Sequence, residues 1–434
     1  MLEKFRNHID LHFPHLKEGK FILACSGGVD SVVLAHLFTS CHLDFSLTHC
    51  NFKLRASESD KDEDLVRELA KELGKELFVT SFDTHGYMAE HKINLQIAAR
   101  QLRYNWFSQI MAAHKIKTLV TAHHADDNLE TFLINLSRGT GIEGLTGIPV
   151  LTNTISRPLL IFSRTEIKKY AEENTIHWRE DASNENTKYV RNNIRHNIVP
   201  KLKELHPNFL ENFILTQEYL GQTREIVNRH IGQLRTQLFE KEDNVEKVKV
   251  ASLLALNPTK AYLFHFLREY GFTQWEDIYG LLSASSGKEV RSNTHRLLKD
   301  RDFLLLKPIA KKNTKFFEIE EGQKELSFPI SLKISTVEAI EETSPKIIYI
   351  DKETLKYPLT IRKCQKGDYF YPLGMSGRKK ISKYFKDKKM DIFAKENQWL
   401  LCSGGNIVWI IGKRADDRYK ITDRTKEILK LILE

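Results

Sequence analysis

The chain has 434 residues, of which 41% are hydrophobic and 28% are charged. This length exceeds that of one typical domain and predicts two or three globular domains. No apolar run approaches the roughly 20 residues of a membrane helix, and the N-terminus lacks the apolar core of a secretory signal, so we expect a cytoplasmic protein with no membrane partner. The net charge of +9 makes a polyanionic partner plausible, although many basic proteins bind no nucleic acid.

The first informative segment follows the apolar run Phe21–Cys25 and reads Ser26-Gly27-Gly28-Val29-Asp30-Ser31. An apolar-periodic helix starts directly after it, so this segment predicts a strand, a tight glycine turn and a helix N-terminus. Adjacent glycines allow backbone N–H groups to approach an anion, and the helix dipole completes a phosphate site. Asp30 could also hold a magnesium ion on a polyphosphate. The alternative for a glycine pair alone is an ordinary strand-to-helix turn.

Between residues 21 and 175, short β-rich runs alternate with helical stretches. This alternation predicts an α/β fold, a Rossmann-like parallel sheet with helices on both faces and ligands at the carboxyl ends of its strands. The predicted strands are Phe21–Cys25, Phe45–His49, Glu76–Phe82, Thr118–Ala122 and Ile155–Leu160, and the predicted helices lie near 31–40, 57–74, 91–114, 126–138 and 163–174.

The later part of the chain has a different pattern. Amphipathic helices are predicted at Leu210–Leu238, Lys260–Tyr270 and Trp275–Leu282, which indicates a mostly helical middle domain. A polar connection begins at Lys311–Lys315. Strand-like runs then follow at Leu359–Cys364, Trp399–Ser403 and Ile407–Gly412, which predict a small mixed α/β domain.

A second constellation, Thr121-Ala-His123-His-Ala-Asp126-Asp127-Asn-Leu-Glu130-Thr131, follows a predicted strand. Asp127 and Glu130 are three residues apart and share one face of a helix. With His123 and Asp126 they could bind magnesium, hold an amine or orient a nucleophile. A helix-capping acidic turn is the alternative, but a phosphate loop at a neighbouring strand end favours a shared site.

Three basic segments could contact nucleic acid. Arg100 and Arg103 lie one helical turn apart and could face phosphates together, although a solvated stripe would look the same. The segment from Trp178 through Arg191, Asn192 and Arg195 could grip an RNA backbone or base edge, or form ordinary caps. The run Arg378–Lys389 includes Lys379, Lys380 and Lys383 around an apolar seam of Ile381, Tyr384 and Phe385, which predicts an amphipathic helix with a cationic face.

Together these residues resemble the N-type ATP pyrophosphatases, whose phosphate loop reads Ser-Gly-Gly-x-Asp-Ser, and within that group the tRNA(Ile)-lysidine synthetase family. The similarity extends through Leu54-Arg55, Ala99-Arg100-x-x-Arg103-Tyr104, His123-x-x-Asp-Asp-x-x-Glu-Thr131, Arg138-Gly-x-Gly, Arg157-Pro-Leu-Leu160, Asp181…Asn184…Arg191-Asn192…Arg195 and Lys366-Gly-Asp-Tyr…Lys379-Lys-Ile-Ser-Lys383. It is densest before residue 200 and thin from 205 to 350. Gln96 departs from the glutamate that is common in the family.

The resemblance implies an enzyme that uses ATP to adenylate the C2 carbonyl oxygen of the wobble cytidine in the isoleucine tRNA with a CAU anticodon, after which free lysine attacks C2 and AMP leaves. Residues 26–31 would bind the pyrophosphate end of ATP, with Asp30 on Mg²⁺. Asp127 and Glu130 would position the lysine amine or the cytidine, and Arg103 would neutralise the adenylate or orient the base. His123, Asp126, Arg191, Asn192, Arg195 and the three lysines 379, 380 and 383 would contact substrate or tRNA.

The domain boundaries that follow are 1–205 for catalysis, 206–315 for a helical tRNA-contacting domain, 316–350 for a connection and 351–434 for a C-terminal tRNA-binding domain. The nearest rival is a tRNA thiolase of the same fold, which would need a sulfur-carrying cysteine or a cluster. The five scattered cysteines (Cys25, Cys41, Cys50, Cys364 and Cys402) include no C-x-x-C pair and support that rival poorly. An amidating synthetase and a non-enzymatic RNA-binding protein are further alternatives, and a homodimer is left open.

Overall fold

The structure is a computed structural model that describes residues 1–54, 57–180, 190–242, 244–309 and 316–434. The predictions on Arg55, Asp181, Asn184 and the segment 311–315 therefore lie outside the described residues. The chain divides into two compact units, Met1–Arg229 and His230–Glu434. None of the described helices is long and apolar enough to cross a membrane.

The first unit is built on a five-stranded sheet with the order β3-β2-β1-β4-β5, in which every neighbouring pair is parallel. The strands are β1 (Phe21–Ala24), β2 (Phe45–Asn51), β3 (Leu77–Ser81), β4 (Leu119–Val120) and β5 (Ile155–Ser156). All five predicted strands and their parallel arrangement are confirmed. The fifth is shorter than predicted because Pro158 cannot donate to a strand ladder and begins a 3₁₀ turn instead.

Helices connect and cover these strands. They are α1 (Leu2–His12), α2 (Val29–Ser40), α3 (Ser57–Glu72), α4 (Thr84–His91), α5 (Leu95–Ala113), α6 (Ala125–Ser137), α7 (Ile142–Leu145), α8 (Arg164–Glu173), α9 (Val190–Asn193), α10 (Val199–Glu204) and α11 (Phe209–Leu238). The main core lies between the sheet and α1, α2 and α8, and includes the stacked rings of Phe21 and Phe45. The chain runs outward from β1 to β3 and then returns to the other side of β1, so β1 and β4 flank the point where the strand order reverses.

The second unit begins with a five-stranded antiparallel sheet of order β6-β7-β10-β9-β8. Its elements are β6 (Phe239–Glu242), β7 (Val245–Lys249), α12 (Val250–Leu254), α13 (Thr259–Leu267), α14 (Trp275–Gly280), β8 (Glu289–Arg291), β9 (His295–Asp300) and β10 (Phe303–Pro308). The predicted helices are present, but the sequence pattern did not predict this sheet. Its strands alternate weakly because charged residues such as Lys299, itself buried, interrupt the apolar pattern.

Two further sheets form the C-terminal part, with the orders β11-β15-β18-β19-β20 and β12-β13-β21-β14, beside a two-stranded β16-β17 ribbon. Their elements are β11 (Phe317–Ile319), β12 (Glu325–Leu326), β13 (Leu332–Val337), β14 (Ile347–Asp351), β15 (Leu359–Lys363), β16 (Tyr369–Phe370), β17 (Lys379–Lys380), α15 (Ile381–Asp387), α16 (Ile392–Asn397), β18 (Trp399–Ser403), β19 (Asn406–Ile410), β20 (Arg414–Ala415) and β21 (Ile428–Leu433).

The stretch 316–350 differs from its prediction as a connection. It supplies β11 to one sheet and β13 and most of β14 to the other, where both pair with the last strand of the chain. Leu332 and Ile350 are fully buried in the core that the two sheets share. The stretch is therefore part of the C-terminal fold, because its strand β13 pairs with residues more than 90 positions further along the chain.

Candidate active site

The phosphate loop lies at the carboxyl end of β1 and leads into the first turn of α2. Gly27 has a φ of +89°, which L side chains rarely adopt, and a Cβ there would lie 3.4 Å from the carbonyl oxygen of Asp62. The Ser31 hydroxyl donates to the Gly28 carbonyl at 3.0 Å and accepts from the Ser26 N–H at 3.2 Å. The loop is therefore a fixed, closely packed turn at a helix N-terminus, as the glycine pair predicts.

Arg179 anchors this turn from a distant part of the chain. Its backbone N–H donates to the Gly27 carbonyl at 3.1 Å, and its guanidinium forms ion pairs with Glu58 at 2.5 Å and Asp62 at 2.8 Å on α3. The loop is thus held between α3 and the segment that precedes residue 181. The sequence marks this arginine only as part of a polar run.

Asp30 points from the first turn of α2 toward the second constellation. Its Oδ1 is buried, has no hydrogen-bond partner among the residues that the structure describes, and lies 3.7 Å from Nε2 of His124. Burial raises the pKa of Asp30, and the opposing effect of His124 is smaller. A buried, unsatisfied carboxylate oxygen at a phosphate loop is an open position for a cation.

His124 connects the two constellations and was not among the predicted site residues. It caps α6 by accepting from the Asp127 N–H at 3.4 Å with Nδ1, while Asp127 Oδ2 accepts from the His124 N–H at 3.1 Å. Since Nδ1 accepts, Nε2 is the ring nitrogen available as a donor, and it faces Asp30 at 3.7 Å and Asp127 at 3.5 Å. In the sequence, only its position just before the acidic residues of α6 indicates that His124 belongs to the site.

The acidic residues of α6 are buried and paired with two arginines. Both oxygens of Glu130, which is 1% exposed, accept from Arg191 and Arg195 at 2.5–3.0 Å. Asp127 Oδ1 accepts from the same arginines at 2.8 and 3.3 Å. Burial alone would raise the pKa of Asp127, but His124 and Arg191 outweigh it and lower this pKa to about 2. The structure thus joins α6 with the predicted Arg191–Arg195 segment in one ionic network.

Asp126 and His123 face other partners. Asp126 accepts from the Arg164 N–H at 2.8 Å and pairs with Lys203, so it connects α6 to α8 and α10. His123 Nδ1 lies 2.9 Å from the Thr121 hydroxyl, and burial lowers the pKa of His123 to about 4. His123 is therefore a neutral ring at neutral pH.

The remaining predicted residues lie elsewhere. Arg103 is exposed on α5, with its guanidinium 5.2 Å from the ring centre of Phe52, and Asn192 lies on α9. In the second unit, Lys380 and Lys383 are exposed and Lys379 pairs with Asp387 at 2.7 Å. The apolar seam predicted for α15 is confirmed, since Ile381, Tyr384 and Phe385 are buried.

Comparison with known proteins places this geometry in a class. The family model described as the PP-loop domain matches residues 1–202, and two further models match the later regions: the TilS substrate binding domain at 241–309 and the TilS C-terminal domain at 359–431. The first unit is therefore a PP-loop domain of the ATP pyrophosphatase type.

The full chain also matches whole relatives. It is 36% identical to a tRNA(Ile)-lysidine synthase of Parabacteroides distasonis over 99% of both chains. It is also 36% identical to that of Bacteroides thetaiotaomicron over 97% of both. The chain belongs to the tRNA(Ile)-lysidine synthase family. Among solved structures, a U34-tRNA thiolase of Methanococcus maripaludis aligns with 18% identity and a TM-score of 0.42 over 50% of this chain and 78% of its own, which is too distant to bear on function.

Proposed function

We propose that the protein is an ATP-dependent ligase that joins free lysine to C2 of the wobble cytidine in the isoleucine tRNA with a CAU anticodon. The observation that carries this proposal is the meeting of the phosphate loop with the α6 network, where Asp30 Oδ1 faces His124 across 3.7 Å. This meeting point lies where the strand order reverses, at the carboxyl ends of β1 and β4. Family membership supports the same reaction.

The chemistry requires an activated oxygen. The C2 carbonyl oxygen of cytidine attacks the α-phosphorus of ATP, so an O–P bond forms and pyrophosphate leaves. The ε-amine of lysine then forms a bond to C2 and loses its protons, while the C2–O bond breaks and the oxygen departs in AMP. The loop at residues 26–31 would bind the pyrophosphate end with its backbone N–H groups, which stabilises the negative charge as it develops.

Asp30 fits a magnesium site in which the protein supplies one carboxylate and the phosphates of the bound nucleotide supply further ligands. No group of three or more His, Cys, Asp or Glu side chains in the described ranges is arranged to hold a metal ion unaided. Mg²⁺ commonly binds one or two carboxylates together with substrate phosphates and water, and the unsatisfied Oδ1 of Asp30 offers one such ligand. When bound there, the ion would neutralise charge on the departing pyrophosphate.

The ionic network suggests how the other site residues divide their work. Glu130 has both oxygens occupied by arginines, so we assign it to positioning Arg191 and Arg195 rather than to direct contact with lysine. Asp127 Oδ2 accepts from the His124 backbone N–H rather than from an arginine, and Asp127 stays ionised, so we assign the lysine ammonium group to Asp127. The exposed Arg103 and the half-buried Asn192 would contact the base or the adenylate. Lys379, Lys380 and Lys383 would contact the tRNA backbone, which agrees with the net charge of +9.

The direct test supplies the protein with ATP, Mg²⁺, labelled lysine and an isoleucine tRNA transcript, with a transcript carrying uridine at the wobble position as control. We expect lysine to enter the first transcript only, with one AMP released per lysine. Sulfur incorporation without lysine incorporation would instead indicate the thiolase reaction. Release of AMP with neither product would contradict both.

A further inference from the structure

The ribbon of β16 and β17 presents aromatic and apolar side chains to solvent in the second unit. Tyr369 is 39% exposed, whereas its neighbour Phe370 is fully buried in the core beneath. The connecting loop exposes Leu373 by 39% and Met375 by 54%. Three large apolar side chains thus lie exposed within seven consecutive residues, an unusual concentration for a surface.

This loop is held in place from the opposite side. The Tyr371 N–H donates to Asp416 Oδ2 at 2.8 Å, the Leu373 N–H to the Ala415 carbonyl at 3.0 Å, and the Gly374 N–H to Asp417 Oδ1 at 3.1 Å. Such bonding fixes the backbone before any partner arrives, which reduces the entropy lost on binding. The exposed side chains are therefore presented by a preorganised loop.

Two cations lie beside Tyr369, and nearby carboxylates are already paired. Arg378 lies 5.5 Å from the ring centre of Tyr369, which faces Lys380 across the ribbon. Asp368, Asp387, Asp416 and Asp417 form ion pairs with Arg362, Lys379, Arg418 and Lys420, respectively. Within the part of the chain that the structure describes, Arg378, Lys380 and Lys383 form no ion pair with a carboxylate, so the local field is positive.

We propose that Tyr369, Leu373, Met375 and Arg378, here called the Tyr369 platform, stack on an unpaired base of the bound tRNA. Aromatic rings and guanidinium groups stack on bases, and flanking cations hold the phosphates. A duplex backbone would not require exposed apolar side chains, and a protein partner would not require so many unpaired cations. This inference rests on the proposed function, because that function makes tRNA the ligand.

The test compares Tyr369→Ala with Tyr369→Trp and with Phe328→Ala, which removes another exposed aromatic ring of the same unit. We expect Tyr369→Ala to weaken binding of the full-length tRNA on the order of tenfold, while Tyr369→Trp keeps it and Phe328→Ala leaves it unchanged. Because stacking releases no counterions, the salt dependence of binding should keep its slope. Unchanged affinity of a folded Tyr369→Ala protein would overturn the proposal, as would a loss in Tyr369→Trp equal to that in Tyr369→Ala.

A second tRNA, lacking its unpaired 3′-terminal nucleotides, identifies the base. If the platform binds the 3′ end, this tRNA binds the natural protein more weakly and Tyr369→Ala causes no further loss. If it binds a loop base, Tyr369→Ala weakens both tRNAs equally. Lysine incorporation at saturating tRNA is measured alongside. If the natural protein incorporates lysine but Tyr369→Ala binds tRNA with unchanged affinity, the platform alone is overturned. If the natural protein incorporates no lysine, the proposed function is overturned.

Discussion

Asp30 and Glu130 show how similar carboxylates take different parts in one site. Asp30 is half-buried and its Oδ1 has no hydrogen-bond partner among the described residues, whereas both oxygens of Glu130 are bonded to arginines. Sequence patterns predict where these carboxylates lie: Asp30 belongs to the motif Ser26–Ser31, and Glu130 follows Asp127 by three residues. Both patterns involve only residues that are close together in the chain. The arginine pairing depends on contacts across 60 residues or more, so spacing alone could not predict it.

The first prediction concerns Asp30→Asn. We expect lysine-dependent AMP formation to fall by about 10²–10³-fold, since the carboxylate that would hold magnesium is lost. Stability should not fall, because the substitution removes the charge of a half-buried side chain whose Oδ1 has no hydrogen-bond partner among the described residues. AMP release, tRNA binding and thermal unfolding are measured beside Asp64→Asn, an exposed aspartate. Retained turnover would exclude Asp30 as the metal ligand.

The second prediction concerns Glu130→Gln. Removing this buried charge leaves Arg191 and Arg195 with one carboxylate, so we expect the free energy of unfolding to drop by about 3 kcal/mol. Urea unfolding measures it, with the exposed Glu211→Gln as the matched control. An unchanged stability together with a raised KM for lysine would contradict the positioning role and favour direct lysine binding.

At the scale of elements, the turn from β1 to α2 depends on the left-handed backbone conformation of Gly27, which a hydrogen bond from Arg179 stabilises. Gly27 adopts a positive φ beneath α3, and Arg179 bonds to its carbonyl. The spacing of apolar residues and the positions of turn residues predict such local elements well, and every predicted strand of the first sheet is present. The stretch 316–350 was missed because its strands are short and gain their stability from distant partners.

The third prediction follows from that turn. Gly27→Ala should destabilise the first unit by about 1–2 kcal/mol, since an alanine must adopt the left-handed region. It should also raise KM for ATP by displacing the loop N–H groups. Thermal unfolding and ATP titration test both effects, with Gly19→Ala as control because a Cβ there meets no atom within 4 Å. Normal ATP binding by Gly27→Ala would show that the turn does not contact the nucleotide.

At the scale of the whole molecule, the candidate catalytic groups and the lysines proposed to bind tRNA belong to different compact units. The phosphate loop and the α6 network lie within Met1–Arg229, while Lys379, Lys380 and Lys383 lie within His230–Glu434. The net charge of +9 indicated a polyanion, but composition could not locate its binding surface. Only the packing of α15 shows which lysines remain exposed.

The fourth prediction concerns those lysines. Changing Lys379, Lys380 and Lys383 to glutamine should weaken tRNA binding and reduce the slope of log affinity against log salt by up to about 2–3, because fewer counterions are released. Affinity is measured across a salt series. A double change of the exposed Lys324 and Lys346 serves as control. An unchanged slope would mean that these lysines of β17 and α15 are only solvated.

The most direct test of the account is the mass of the wobble nucleoside after the tRNA(Ile) transcript has reacted with the protein, ATP, Mg²⁺ and lysine. Nuclease digestion should release, in place of the wobble cytidine, a nucleoside heavier by one lysine less one water, and only when ATP and lysine are both present. Recovery of unmodified cytidine, although the protein is folded and binds the tRNA, would contradict the proposed reaction. Recovery of a nucleoside that has gained sulfur would contradict it as well.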